Sequence, residues 1–196
     1  MHYALNQTRP PEAATVRYLT DAKRSRFMVH AFATGMLSAF AHSPTIAIPD
    51  FDGQAVVNPE VLEESSLRFV VQAASLKVTD DVNETDRVEM ERRMCEEVLE
   101  SGSYPEIVYE CSKVSASKTG EGQYWVALNG QRSLCGTTRS QPMSARVTLD
   151  GDTLRAVGEF SMLQSDYEIK PVSAAGGTIK LKDELRLSFD IVARKG

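Results

Sequence analysis

Lys180-Leu-Lys-Asp-Glu-Leu-Arg-Leu-Ser-Phe-Asp-Ile-Val-Ala193 puts Leu181, Leu185, Leu187, Phe189 and Ile191 on one face of an extended chain, and Lys182, Arg186, Ser188 and Asp190 on the other. Successive side chains of a strand point to opposite faces, so this alternation predicts a half-buried antiparallel strand. Residues 66–78 repeat the pattern, with Leu67, Phe69, Val71, Ala73 and Ser75 against Arg68, Val70, Gln72 and Ala74. A run that long suits a tilted barrel strand.

Working outward, further extended segments are expected at residues 14–20 and 25–32, paired as a hairpin across Asp21-Ala22-Lys23, and at 106–112, 123–128, 144–149 and 153–162. Pro49 and the Asp52-Gly53 step make 45–57 read as an edge or bulged strand. Asp150-Gly151 is the clearest hairpin turn. The segment 35–42, with Met36, Leu37 and Phe40 on one side of a helical turn, is expected to plug or border an apolar space. About eight strands of this kind can close into a barrel whose interior is either filled or holds a small ligand.

One helix stands out, at residues 84–100, announced by Asp80, Asp81 and Asn83 as candidate caps and closed by Ser101-Gly102. Met90, Met94 and Val98 recur at helical period and are expected to seat it on the barrel, with Glu89 and Arg93 paired outside. The fold class is therefore all-β with one long helix, read as one domain over residues 1–196 because no Pro/Gly/Ser linker divides the chain.

Composition narrows the function. A net charge of -5, with Lys and Arg scattered, offers no footprint for nucleic acid. Nothing approaches the roughly 20 apolar residues of a membrane span. Met1 to Pro11 lacks the basic start and apolar run of a secretion signal, so a cytoplasmic protein is expected, or a periplasmic or secreted one if the chain is a processed form. Cys95, Cys111 and Cys135 lack CxxC spacing, and His2, His30 and His42 lack metal-ligand spacing, so neither disulfide nor metal is expected. No catalytic constellation or cofactor motif is found; the best acid/base pairing would be His42 with Asp50, Asp52 or Asp166, as in a hydrolase.

Ser103-Tyr-Pro-Glu-Ile-Val-Tyr-Glu-Cys-Ser-Lys-Val114 resembles the YceI-like family, in which a helix, a Tyr-Pro step and a strand ending in Lys-Val follow one another. Leu128-Asn-Gly130 and Leu134-Cys-Gly-Thr-Thr-Arg139 resemble its Leu-x-Gly-x-Leu-x-x-x-Gly-x-x-Arg stretch, and Ser165-Asp166-Tyr167 its Ser-Asp-Phe. Ser38-Ala-Phe-Ala-His-Ser-Pro44 is similar to the Gly-His-Asn-Pro version of some members, with Ala41 and Ser43 as departures. The resemblance implies a lipocalin-like antiparallel barrel with a hydrophobic tunnel, in a family whose members bind polyisoprenoid or other long-chain lipids, and it does not imply catalysis.

On that basis the expected ligand-lining residues are Phe27, Val29, Phe40, Phe69, Val71, Tyr109, Val126, Phe160, Leu187 and Phe189. The expected partner is a long-chain apolar ligand, such as a polyisoprenoid, isoprenoid quinone or fatty-acid-like lipid, with a homodimer left open. No charged anchor is expected, since each buried methylene is worth roughly 0.8 kcal/mol. Against this stand a filled barrel acting as a structural or protein-interaction module through the Met90 and Met94 face, and a redox sensor using Cys111 and Cys135.

Overall fold

Strand alternation explains how the wall closes in a computed structural model, which describes residues 15–35, 43–174 and 179–196. In chain order the strands are β1 (Val16–Thr20), β2 (Arg26–His30), β3 (Ala33–Thr34), β4 (Thr45–Ala47), β5 (Phe51–Val57), β6 (Ser66–Gln72), β7 (Lys77–Val78) and β8 (Glu106–Cys111). They continue with β9 (Val114–Gly120), β10 (Gln123–Leu134), β11 (Thr137–Asp150), β12 (Thr153–Leu163), β13 (Ser173–Ala174), β14 (Ile179–Leu181) and β15 (Glu184–Lys195). Eight of them, in the order β1-β5-β6-β8-β10-β11-β12-β15, form an antiparallel ring that β15 closes onto β1. Closure leaves this ring with no free edge.

Several strands bend where the sequence predicts continuity or reversal. Residues 14–20 and 25–32 do not form a hairpin: β1 and β2 lie end to end along one edge of β15, with Tyr18 opposite Lys195 and Phe27 opposite Phe189. Between them Ala22–Arg24 makes one tight 3-10 turn, and no residue there takes the positive φ that a two-residue hairpin requires. Ser25 bridges the interrupted ladder, its hydroxyl donating to Asp21 O (2.7 Å) and accepting from Val192 N (2.9 Å).

The run 66–78 likewise breaks at the turn Ala73–Ser75, giving β6 in the ring and β7 outside it. The run 45–57 breaks around Pro49, which falls between β4 and β5 where the ladder needs no donor. β5 is an internal strand between β1 and β6, not the expected edge. The three outer pieces pair as β2-β4-β7 and carry the sheet beyond the ring. β14 is separated from β15 at Lys182-Asp183 and pairs with β13 and β3 in a small second sheet.

β7 ends that extension with an open edge, which the helix covers. Helix α1 (Glu84–Arg93) starts at Asn83, whose Oδ1 accepts from Asp86 N (2.9 Å), and its last turn, Met94–Val98, widens so that Leu99 N donates to Met94 O (2.9 Å). Glu91 accepts from Val78 N (3.0 Å) and from Lys77 Nζ (2.9 Å), while Arg87 donates to Val78 O and Asp80 O. The unpaired backbone of β7 is thus satisfied by side chains. Glu89 pairs with Arg92 and Arg93 with Glu97, rather than with each other. The left-handed stop is Glu100 (φ 45), not Gly102.

The hairpin turns carry the expected chemistry. Gly151 takes φ 54 between β11 and β12. Between β10 and β11 both Cys135 (φ 48) and Gly136 (φ 74) are left-handed, a two-residue turn of the primed kind. The strained Cys135 donates its thiol to Val98 O (3.6 Å) and Leu99 O (3.5 Å), tying the hairpin tip to the end of the helix.

Candidate functional site

Inward positions of the ring and of β2-β4-β7 surround one cavity of about 440 Å³. Of the ten lining residues expected from sequence, Phe27, Val29, Phe69 and Val71 face it from the first half of the chain, and Tyr109, Val126, Phe160, Leu187 and Phe189 from the second. Phe40 lies outside the described residues, as does His42. Met90, Met94 and Val98 close the wall from the helix, half-buried against the core.

Aromatic rings shape one side. Phe51 is 3% exposed and stacks on Phe69 (5.2 Å between centroids), and Phe27 meets both rings edge-on, at 6.3 and 5.8 Å. Glycines opposite the rings make room: a Cβ at Gly158 would lie 2.6 Å from the Phe189 ring, and one at Gly130 would lie 2.5 Å from Tyr109. Tyr109 crosses that space to donate its hydroxyl to Gln141 O (3.1 Å), and burial raises its pKa, so it stays a protonated donor.

The other side holds a residue that sequence reading missed. Strand β10 runs on to Leu134, so Tyr124, Val126, Leu128, Gly130, Arg132 and Leu134 all point inward. Arg132 is 6% exposed, its guanidinium between the rings of Tyr167 (4.7 Å) and Phe160 (5.7 Å). Its Nε donates to Tyr167 Oη (3.0 Å), but Nη1 and Nη2 have no partner; among the described residues they are the only buried side-chain nitrogens or oxygens without one. Burial lowers its pKa, the nearby Tyr167 opposing, yet a guanidinium remains a cation at physiological pH.

The Ser165–Tyr167 turn holds Tyr167 in place. Asp183 accepts from Ser165 N (2.8 Å) and from Ser165 Oγ (2.5 Å), which keeps its carboxyl below the usual range. Gln164 Nε2 donates to Lys182 O (2.9 Å), and Gln141 Nε2 to Pro142 O (3.2 Å) and Ser161 O (3.5 Å), so the amide nitrogens of these two cavity-lining glutamines have backbone partners.

The acid/base pairing expected of His42 lies outside the described residues with it, and the redox reading finds little geometry. Burial, with Glu100 adding, pushes the Cys135 thiol up, away from a reactive thiolate, and Cys111 is buried with its Sγ donating to Lys113 O (3.4 Å). Among the described residues no group of three or more His, Cys, Asp or Glu could hold a metal ion, and no helix is long and apolar enough to cross a membrane.

Comparison with known structures finds the same fold. BcnA from Burkholderia cenocepacia superposes with a TM-score of 0.66 at 15% identity, covering 88% of this chain and 98% of that one. A polyisoprenoid binding domain from Saccharophagus degradans gives 0.65 at 11% identity, covering 92% and 99%. A YceI protein from Campylobacter jejuni gives 0.57 at 13%, covering 77% and 84%. No curated protein matches in sequence. The family model described as YceI-like domain matches residues 18–193, nearly the whole ring from β1 to β15, and the chain therefore belongs to the YceI-like family.

Proposed function

We propose that the barrel binds a long-chain apolar ligand in its interior, a polyisoprenoid, isoprenoid quinone or fatty-acid-like lipid, and serves its storage or transport rather than a chemical reaction. The observation that carries this is the cavity: about 440 Å³ lined by side chains that are almost all apolar, within the range that small ligands fill. A filled core would leave no such space, because protein interiors pack to the density of organic crystals. That a superposable domain is described as polyisoprenoid binding supports the same reading. A cytoplasmic setting belongs to this proposal, supported by three unpaired thiols, which suit a reducing compartment.

Solvent extraction of the natively purified protein followed by mass spectrometry tests it directly: a copurifying lipid is expected. Phe69→Trp sharpens the test by intruding on the cavity. Weaker binding of long ligands with the fold intact supports the proposal. Unchanged binding with about 1–3 kcal/mol of lost stability, the cost of overpacking, would speak for a filled core.

A further inference from the structure

We propose that Arg132 seats the anionic head group of the bound lipid, a carboxylate or phosphate whose two oxygens take the free Nη1 and Nη2, while the tail runs into the apolar cavity. This rests on the lipid-binding reading and goes beyond it by naming the class of ligand, an anionic amphiphile rather than a neutral chain.

Four observations converge. Arg132 is 94% buried by its 6% exposure, and its two terminal nitrogens have no partner among the described residues. Leaving a permanent cation unpaired away from water is costly, and among the described residues no carboxylate lies within ion-pair distance of it. Nε is already engaged by Tyr167, so the donor edge that remains is the Nη1/Nη2 pair, which fits a two-oxygen anion side by side. The rings of Tyr167 and Phe160 hold the guanidinium plane, so little freedom is lost when the anion arrives.

A second line comes from the pairing itself: Arg132 and Tyr167, 35 residues apart in sequence, meet in one buried hydrogen bond of 3.0 Å. A Leu and a Phe there would complete an apolar lining; the Arg and Tyr install a held donor fork. The site lies three residues before the Cys135-Gly136 turn, on the helix side of the barrel, leaving the cavity beyond for the tail.

The delipidated full chain is titrated with three probes of one chain length, hexadecanoate, hexadecyl phosphate and hexadecanol, for wild type and Arg132→Leu, with melting temperature as the check on folding. Wild type is expected to bind at least one anion roughly 30-fold or more tighter than the alcohol, the order expected for a desolvated charge pair. Arg132→Leu, which leaves an apolar side chain there without the charge, should lose that preference, keep its affinity for hexadecanol and melt no lower. Arg132→Lys, which keeps the charge but gives up the fork, should retain only part of it. Which anion wins identifies a fatty-acid-like or a phosphorylated-alcohol source. If all three probes bind wild type alike, or Arg132→Leu leaves anion binding unchanged, this inference is overturned while lipid binding stands; if no probe binds, both fall.

Discussion

Arg155 on β12 and Arg132 on β10 stand on the same wall of the barrel with one strand between them, and they live under opposite rules. Arg155 faces water and still has a carboxylate: its Nε and Nη2 grip the two oxygens of Asp190 at 2.8 and 2.6 Å. Arg132 faces the cavity, where charge is most expensive, and has one phenol. A surface arginine needs no partner because water solvates it, whereas a buried one that lacks an anion is a cost the fold must recover elsewhere. The contrast separates what shapes the barrel from what is held ready for a ligand, and it orders the expected effects of mutation.

The inner face free of charge should give the largest effect. Phe51→Ala removes a ring that is 3% exposed and packed against Phe69 and Phe27, and should cost about 3–5 kcal/mol in chemical denaturation. A loss under about 1 kcal/mol would mean the aromatic side is loosely packed, and the division between the two walls would blur.

Next is the helix. Met94→Asp would place an unpaired carboxylate against the core that Met94 packs on, at a cost on the order of 2 kcal/mol or more. An unchanged melting temperature would show that the helix face is not seated on the barrel.

Those two mutations probe what was legible from sequence. Period-2 alternation located the inward faces of β6 and β15, and the helical period of Met90, Met94 and Val98 located the seam, because both patterns are written in neighbouring residues. Whether a polar break bends a strand or reverses it is not local: 21–25 bends because both flanks find the same edge of β15. Strand β9 and the far half of β10 escaped because Ser115, Ser117 and Lys118, and then Gly130-Gln131-Arg132-Ser133, dilute the apolar alternation. Arg132 was missed for the same reason: one charge on an inward position reads as the end of a strand. Extending the alternation from Val126 and Leu128 to Leu134 would have exposed it.

Tyr167→Phe tests the polar corner at lower amplitude. It removes the only acceptor that Arg132 has among the described residues, and an unsatisfied buried donor should cost about 1–3 kcal/mol without ligand. In an Arg132→Leu background the same substitution should cost almost nothing, because the donor is gone. Equal costs in both backgrounds would show that the hydroxyl serves something other than Arg132.

The smallest effect belongs to the outer face, and its pH dependence has a definite sign. Arg155 holds the Asp190 carboxyl below its ordinary value of 3.8, chiefly through their hydrogen bonds. A group whose folded pKa is depressed stabilises the fold above its unfolded pKa, and that contribution fades as pH falls from there through the folded value. At pH 7 the pair is therefore fully formed, but both partners are solvated and salt screens them. Asp190→Asn should lower the melting temperature only slightly at pH 7 in low salt, and the difference from wild type should shrink toward zero both at high salt and as the pH drops well below 3.8. The same acid titration leaves Arg132 without effect through any carboxylate of its own, since among the described residues none is within ion-pair reach. A difference that persists unchanged in acid would mean that Asp190 acts through packing rather than charge, and the contrast between the paired outer arginine and the unpaired inner one would lose its electrostatic basis.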